Sequence, residues 1–291
     1  MKNIAIVTNF NISEKATSAL KVANYLLKFG CKILVSQYSK ERVLGMKNYR
    51  GNIYFVPIEK LYDEADLVIA LGGDGTILDC AKRMATKGKP ILGINLGHLG
   101  YMAELEMHEL SSLSKIIEGD YSIDERALMN VEVFNRDGIS KYSSYALNDA
   151  VISNGSVSKI INLELYAGES LVTTYRSDGL IISTPTGSTA YAMSAGGSIV
   201  DPKVKCTLVT PICPHSFVAR QLIFPDETNI KIKNVSVREK FLSLTLDGKT
   251  NCDIYREEVV SITKSDLSVK LVRLKDCSFY DILSQKMITN Y

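Results

Sequence analysis

Residues 67–80, LVIALGGDGTILDC, constrain the fold of this chain more than any other segment. They begin as a short apolar run that is typical of a buried strand, place three glycines around one aspartate, and continue in a helical pattern. Glycine lets another molecule approach the main chain closely, and the first N–H groups of a helix have no intrahelical partners. The segment therefore predicts a strand, a turn and a helix, with an anion such as phosphate bound at the turn.

Asp74, in the centre of that turn, would repel a bound phosphate, so its carboxylate requires a separate explanation. One interpretation is chemical, because a carboxylate beside a phosphate can accept the proton of an attacking hydroxyl or hold a water on Mg²⁺. The other is structural, because aspartate often caps a helix or forms an Asx-turn. The sequence contains no GxxxxGK[ST] pattern, and this turn lacks the third glycine of a dinucleotide fingerprint.

The first 120 residues alternate between strand and helix patterns. Strands are predicted at 3–7, 32–36, 52–56, 67–71 and 90–95, and helices at 13–29, 76–87 and 108–118. In the first helix Ala16, Leu20 and Ala23 lie on one face at helical spacing, and Gly30 follows its end. Strands that alternate with helices predict a parallel sheet covered by helices.

After about Tyr121 the pattern changes to short alternating runs with turn residues such as Asp137-Gly138 between them, which predicts antiparallel strands. The last helical pattern, 279–288, is amphipathic and has to cover an apolar surface. We therefore expect an α/β N-terminal domain with a parallel sheet at 1–120 and a mostly antiparallel β domain at 121–270. A C-terminal segment, 271–291, is expected to return its helix to the first domain.

The composition disfavours several classes of function. Lys and Arg number 34 against 32 Asp and Glu, so the net charge of +2 gives no basic field for nucleic acid. No signal-peptide pattern and no apolar run of membrane-spanning length occur, which favours a cytoplasmic protein without a membrane partner. The six cysteines form no CxxC pair, as is typical of reduced thiols. Cys213 and His215 have no further Cys or His nearby, so we assign no metal-ligating residues.

A second chemical stretch, DGLIISTPTGSTAYAMS at 178–194, runs from a strand into a short helix. It gathers hydroxyls and amides that suit a ribose or a phosphate, on Thr184, Thr186, Ser188 and Thr189. Ser188 as a simple helix cap is the structural alternative. Tyr191 and Ser194, three apart, would present a ring and a hydroxyl to a base, although a core tyrosine fits the spacing equally well.

Two shorter segments are less specific. Asn148 and Asp149 stand at the head of an apolar run and can recognise hydroxyls or exocyclic amines, but an Asn-Asp pair is also common in turns. LTLDGKT contains Asp247-Gly248, for which an ordinary hairpin turn is the default interpretation.

The order of GGDGT, GINLGHLGY, LND, YRSDGLIISTPTGSTAYAMSAGG, TPICPHS and LDG resembles the bacterial NAD kinases, from residue 3 to the terminal FYDIL. GGDG alone is shared with lipid kinases and phosphofructokinases, whereas TPTGSTAY is highly specific. The resemblance implies transfer of a phosphoryl group from ATP, or from inorganic polyphosphate, to the 2′-hydroxyl of the adenosine ribose of NAD, which makes NADP. It also implies Mg²⁺ or another divalent cation, and a homodimer or homotetramer in which a neighbouring subunit completes the NAD site.

The same resemblance implies roles for individual residues. Asp74 matches the general base, and Gly75 matches its neighbour on the phosphate side. The other substrate-binding residues expected are Tyr101 in GINLGHLGY, Asn148 and Asp149 at NAD, Arg176 and Asp178 near the second half of the dinucleotide, Thr186, and Thr189, Ala190, Tyr191 and Ser194 around an adenosine portion. Cys213 and His215 match a wall shared with the neighbouring subunit.

Three positions depart from the family pattern. Ser177 stands where relatives often have glycine, Gln221 where proline is usual, and Lys249 where many have glutamine. Lys249 is retained as a substrate-binding residue whose contacts to NAD differ from those of the glutamine.

Two rival functions share part of the pattern. A lipid kinase would share GGDGT, but such enzymes carry a different motif where this chain has GINLGHLGY. A non-catalytic NAD-sensing module would keep the pocket without turnover, and the intact Asp74 disfavours it.

Overall fold

The computed structural model describes residues 1–97, 100–154, 160–216, 219–237 and 240–289, and at 250–251 and 287–289 it describes the main chain alone. The chain divides into two compact units. The first contains residues 1–125 and 268–291, and the second contains residues 126–267. The chain therefore returns to its first unit after it has completed the second. Each unit has an apolar core of its own.

The first unit contains a parallel sheet with helices between its strands. The strands in the described residues are β1 (Asn3–Val7), β2 (Lys32–Ser36), β3 (Ile53–Val56), β4 (Leu67–Leu71), β5 (Pro90–Asn95) and β6 (Leu105–Glu106). The helices are α1 (Ser13–Leu27), α2 (Lys40–Leu44), α3 (Ile58–Glu64), α4 (Asp74–Met84) and α5 (Ser114–Glu118). β1 lies between β2 and β4, β3 pairs with β2, and β5 pairs with β4 and β6, all in parallel.

Burial patterns account for this arrangement. Every residue of β4 is buried, as is typical of a strand in a sheet that is covered on both faces. Helix α1 buries Ala16, Leu20 and Ala23 at helical spacing, in the same core as Ile4 and Ile69 of the sheet. The predicted parallel α/β class of the N-terminal part is confirmed.

The second unit consists mostly of antiparallel strands, of which the first begins and the last ends in residues of the first unit. In chain order these are β7 (Ser122–Phe134), β8 (Ser140–Ala146), β9 (Asp149–Ser153), β10 (Ile161–Ala167), β11 (Ser170–Ser177), β12 (Gly179–Ser183), β13 (Cys206–Ile212), β14 (Leu222–Pro225), β15 (Ile230–Asn234), β16 (Phe241–Leu246), β17 (Lys249–Tyr255) and β18 (Val259–Arg273), with helix α6 (Tyr191–Ser194) after β12. One sheet has the order β14-β13-β12-β9-β16-β17, and β11-β10-β15-β18 follow one another in another. Ile152, Leu163, Val209 and Ile232, from both sets of strands, share one core, so the two sheets pack face to face.

Helix α7 (Phe279–Thr289) belongs to the first unit, together with the last residues of β18, which pair in parallel with β5. No helix within the described ranges combines the length and the apolar composition that a membrane crossing requires.

Some element boundaries differ from the prediction. Helix α4 begins at Asp74 rather than at 76, because Gly73 is its N-cap and the Gly73 carbonyl accepts the N–H of Thr76. Helix α1 ends at Leu27 rather than at 29, and the chain leaves it through Gly30 at a φ of 76°. The predicted helix at 108–118 is a 3₁₀ segment followed by α5. The short helices α2 and α3 were not predicted.

Candidate active site

The GGDG turn follows β4 at the point where the order of the parallel sheet reverses, with β2 and β3 on one side of β1 and with β4 and β5 on the other. In open α/β sheets, ligands bind beyond the carboxyl ends of the strands at this position. The Thr8 hydroxyl, just after β1, donates to the Leu71 carbonyl at 2.8 Å, and the Gly72 N–H donates to the Ile94 carbonyl at 3.0 Å. The turn is therefore anchored to both neighbouring strands.

The glycines of the turn have different surroundings. A Cβ atom on Gly72 would lie 2.3 Å from Oγ1 of Thr76, so the packing of the turn itself requires glycine there. Among the residues that the structure describes, no atom would lie within 4 Å of a Cβ atom on Gly73 or Gly75, and both glycines are exposed. The space beside these two residues is open, as the close approach of a ligand to the main chain requires.

The carboxylate of Asp74 is held by the loop that follows β5. The Tyr101 N–H donates to Oδ2 at 2.9 Å and the Met102 N–H donates to Oδ1 at 3.2 Å. A Cβ atom on Gly100 would lie 2.0 Å from Oδ1, so only glycine allows the loop this close to the carboxylate. The carboxylate thus bonds to a distant loop instead of capping its own helix, and these two bonds occupy about two of the four acceptor positions that a carboxylate has. His98 and Leu99 of the GINLGHLGY motif lie outside the described residues.

Helix α7 contributes two side chains beside Tyr101. The rings of Tyr101 and Phe279 have centroids 6.4 Å apart, and Nζ of Lys286 lies 3.7 Å from the centroid of the Tyr101 ring. Burial lowers the pKa of Lys286, and the negative charge of Asp74 opposes that change. Burial, and then Asp74, raise the pKa of Tyr101. The sequence did not indicate Lys286 as a residue of this site.

In the second unit, the carboxylate of Asp247 holds the main chain of the LND segment by hydrogen bonds. Its carboxylate accepts the N–H groups of Leu147 at 3.0 Å, Asn148 at 2.7 Å and Asp149 at 3.2 Å. The predicted hairpin turn at Asp247-Gly248 is confirmed, since it joins β16 to β17. The turn nevertheless has a further role, because its aspartate fixes the main chain of the LND segment about 100 residues away in sequence.

The side chains of Asn148 and Asp149 are both buried. Oδ1 of Asn148 has no hydrogen-bond partner within the described part of the chain. A buried acceptor without a partner is uncommon in native proteins and requires an explanation, such as a functional role or a bound water or ion. Burial, and then the charge of Asp247, raise the pKa of Asp149 to about 7. The pair therefore has the character of a binding site, beyond that of an ordinary turn.

The TPTG segment packs directly on this pair. The Thr184 hydroxyl donates to the Leu147 carbonyl at 2.5 Å and accepts the N–H of Gly187 at 3.1 Å. A Cβ atom on Gly187 would lie 2.0 Å from the Asn148 carbonyl oxygen, so glycine allows the two segments to touch. Two motifs that are separate in sequence are thus adjacent in the structure.

The rest of this segment separates into buried and exposed residues. The Ser188 hydroxyl donates to the Pro185 carbonyl at 2.7 Å and accepts the N–H of Val200 at 3.0 Å, so the interpretation of Ser188 as a simple helix cap was wrong. Tyr191 is 46% exposed, which excludes the core alternative. Ser194 is also exposed, and Thr189 and Ala190 are half-buried.

Arg126 is a buried residue of this region that the sequence did not indicate. Only 5% of the residue is exposed, and Nη1 donates to Oγ1 of Thr186 at 3.3 Å. The guanidinium therefore helps to fix Thr186, one of the expected substrate-binding residues.

The remaining expected residues lie on exposed or half-buried parts of the second unit. The His215 N–H donates to the Arg176 carbonyl at 2.9 Å, and the Asp178 N–H donates to the Ile212 carbonyl at 3.0 Å. The TPICPHS segment is therefore bonded to the strand that carries Arg176. Cys213 is exposed at a φ of 43°, and Lys249 is exposed directly after the hairpin turn.

In the part of the chain that the structure describes, no group of three or more His, Cys, Asp or Glu side chains could hold a metal ion. The described side chains therefore do not form a cage of three or more such ligands for a divalent cation. A Mg²⁺ ion that keeps several waters and binds substrate phosphates does not need such a cage.

Two solved structures have the same fold. Yeast NADH kinase complexed with NADH superimposes with a TM-score of 0.89 at 24% identity, over 99% of this chain and 87% of that one. An NAD kinase from Archaeoglobus fulgidus in complex with ATP gives a TM-score of 0.73 at 22% identity, over 98% of each chain. The predicted combination of an α/β domain and a mostly antiparallel β domain is thus a known fold.

Sequence comparisons identify the family. Residues 4–121 match the ATP-NAD kinase N-terminal domain, and residues 147–274 match the ATP-NAD kinase C-terminal domain. The NAD kinase of Caldanaerobacter subterraneus subsp. tengcongensis is 35% identical over 288 residues, and that of Symbiobacterium thermophilum is 37% identical over 288 residues, in both cases over 99% of each chain. These matches do not favour the lipid-kinase alternative. The chain belongs to the ATP-NAD kinase family.

Proposed function

We propose that this protein is an NAD kinase, which transfers a phosphoryl group from ATP to the 2′-hydroxyl of the adenosine ribose of NAD. The observation that carries the proposal is the position of Asp74. Its carboxylate is fixed by two main-chain N–H groups at the switch point of the sheet, beside two glycines with open space around them. An oriented base next to a cradle for phosphates is the arrangement that phosphoryl transfer to a hydroxyl requires.

Asp74 accepts the proton of the 2′-hydroxyl as the phosphoryl group arrives. Tyr101 and Met102 hold the carboxylate in one orientation, and its remaining acceptor positions receive the hydroxyl. The N-terminus of α4, with Gly75 in its first turn, supplies N–H groups for the charge on the transferred phosphoryl group.

The second unit recognises the dinucleotide. Oδ1 of Asn148 is a buried acceptor that requires a donor, and a ribose hydroxyl or the exocyclic amine of adenine supplies one. Tyr191 is exposed and presents its ring to a base. Further contacts are assigned to Asp149, Arg176, Asp178, Thr186, Thr189, Ala190, Ser194, Cys213 and Lys249.

A divalent cation would accompany the phosphates of the donor in this proposal, and in the described residues no group of three or more His, Cys, Asp or Glu side chains would hold it by itself. The cation supplies neutralisation of phosphate charge. Inorganic polyphosphate remains an alternative donor. We also propose that the protein is cytoplasmic and forms a homodimer or homotetramer.

The central test is Asp74→Asn, which keeps the size of the side chain and removes the base. We expect kcat for NADP formation to fall about 10²- to 10⁴-fold or more, because the base is lost and because the amide nitrogen leaves one of the two main-chain N–H groups of Tyr101 and Met102 without its acceptor. NAD affinity should change little, since Asp74 acts mainly in the transition state. Asp79→Asn, which alters an exposed aspartate on the same helix, is the matched control and should keep wild-type turnover.

The outcomes separate the function from the mechanism. Wild-type protein that makes no NADP from NAD with either ATP or polyphosphate would leave the sensing module as the better description. Near-wild-type turnover of Asp74→Asn would remove the base assignment and leave the function intact. An NAD analogue without the 2′-hydroxyl should bind the wild type and stay unphosphorylated.

A further inference from the structure

Helix α7 brings an ammonium group to the GGDG turn. Nζ of Lys286 lies 3.7 Å from the centroid of the Tyr101 ring, and the N–H of Tyr101 bonds to Oδ2 of Asp74 at 2.9 Å. The Phe279 ring, at the start of the same helix, also lies beside Tyr101, with the two ring centroids 6.4 Å apart. Tyr101 therefore links the terminal helix to the carboxylate, and all of these residues lie in the first unit.

The charges at the GGDG turn favour a positively charged group at this position. The turn places the carboxylate of Asp74 beside a cradle for an anionic donor, so the phosphates of that donor and the carboxylate repel each other unless positive charge lies close by. Lys286 is half-buried and interacts electrostatically with Asp74, so its ammonium has lost part of its hydration shell. A phosphate oxygen would replace that hydration with a charge-assisted hydrogen bond.

We propose that Lys286 binds the phosphate chain of the phosphoryl donor beside Asp74, as a donor-binding residue contributed by the terminal helix. The inference rests on the proposed kinase function and adds a residue that no motif of the chain indicates. The ligand chemistry is a linear triphosphate, which ATP and inorganic polyphosphate share.

The kinetic test replaces Lys286 with Met, which keeps an unbranched apolar side chain of similar length and removes the charge. We expect kcat/KM for ATP to fall about 10- to 100-fold, mainly through KM for ATP, the range for a lost charge-assisted hydrogen bond. KM for NAD and the melting temperature should stay near wild type. Lys286→Arg should recover most of the loss, and Lys82→Met, an exposed lysine on α4, should behave as wild type.

A second measurement uses the wild-type protein and does not depend on the folding of any variant. Acetic anhydride modifies accessible lysines, and mass spectrometry reports the modification rate of Lys286. We expect ATP and inorganic tripolyphosphate to protect Lys286, and adenosine, which has no phosphates, to leave its rate unchanged. Lys82 should react at the same rate in every sample.

Each outcome is decisive for the inference. An unchanged KM for ATP in Lys286→Met, an equal loss for NAD and ATP together with a lower melting temperature, or no protection by either phosphate compound would overturn it. The wild-type protein is assayed for NADP formation in the same experiments. If it is active, the proposed kinase function stands even where the Lys286 inference fails, so the two failures are distinguishable.

Discussion

At the scale of single residues, Gly100 is as important to the orientation of Asp74 as the aspartate itself. Its missing Cβ atom leaves room for Oδ1 at a place where a methyl group would lie 2.0 Å away. The two N–H groups that follow it, on Tyr101 and Met102, hold the carboxylate. Nothing in the segment GINLGHLGY alone indicates this contact, because its partner lies 27 and 28 residues earlier in the chain.

Gly100→Ala should therefore act on catalysis through Asp74. The added methyl group has to displace either the carboxylate or the loop, so we expect kcat to fall about 10-fold or more while NAD affinity changes little. Gly97→Ala is the matched control, since a Cβ atom there meets no atom of the described residues within 4 Å. Steady-state kinetics of both variants, with melting curves, are the measurement. Equal kcat values for the two variants would contradict the steric argument.

Asp149 predicts a pH dependence of stability. Burial, and then the charge of Asp247, raise its pKa from 3.8 to about 7. The folded protein thus binds this proton more tightly than the unfolded chain does. The contribution of Asp149 to the free energy of unfolding therefore falls as the pH rises from about 4 to about 7 and stays low above that.

Asp149→Asn has no such ionisation, so its stability relative to wild type should improve between pH 5 and pH 8, by up to about 3 kcal/mol. Urea unfolding of the unliganded proteins at the two pH values measures this. Asp137→Asn, an exposed aspartate in the β7–β8 turn, serves as the control. A difference between Asp149→Asn and wild type that is the same at both pH values would show that the carboxyl does not titrate in this range.

At the scale of elements, strong local patterns predicted most of the first unit. The five predicted strands of the parallel sheet correspond to β1 to β5, because their apolar runs are bounded by turn residues. Helices α2 and α3 were not predicted because they are short, with 5 and 7 residues, and bury too few side chains to give a helical pattern of apolar residues. The 3₁₀ segment Met107–Leu113 was predicted as part of a regular helix, since its composition does not distinguish the two.

The candidate site was less predictable from the sequence than the fold, because its residues are positioned by long-range contacts. Residue types and local order indicated Asp74, Asn148 and Asp149, but the groups that position them come from distant elements. Asp247 bonds to the LND segment across 98 to 100 residues. Lys286 reaches Tyr101 from the terminal helix. Only the packing of these elements in the structure reveals such partners. Neither the hydrophobic periodicity nor the composition of the turns predicts how the elements pack.

The contact between the β16–β17 hairpin and the LND segment yields a prediction at this scale. Asp247→Ala leaves three N–H groups without their acceptor, so Asn148 and Asp149 lose their fixed positions. We expect KM for NAD to rise about 10-fold or more, with a smaller change in KM for ATP. Asp137→Ala changes the other Asp-Gly hairpin turn and should leave both KM values unchanged. A variant that melts earlier but keeps wild-type KM for NAD would limit Asp247 to a structural role.

At the scale of the whole molecule, apolar side chains remain exposed on strands that end their sheets. Among the described strands, β11 and β14 stand at the ends of the orders given above. Leu171 on β11 is 54% exposed, and Ile223 on β14 is 55% exposed. Exposed apolar residues on edge strands are unfavourable in an isolated chain, and a second copy of the same chain is a common way to cover them.

We therefore predict a homo-oligomer whose activity per subunit falls on dilution, because a site completed by a neighbouring subunit loses contacts when the subunits separate. Specific activity across a range of enzyme concentrations, beside sedimentation velocity at the same concentrations, measures both quantities. Leu171→Lys and Ile223→Lys, made separately, test the two edge strands. If an edge lies in the subunit interface, its variant should dissociate at a higher protein concentration than wild type. Its specific activity should fall at that same concentration. Ile139→Lys, at a residue 63% exposed before β8, is the control and should leave both profiles unchanged. A monomer with constant specific activity at every concentration would refute the prediction, since its site would then be complete within one chain.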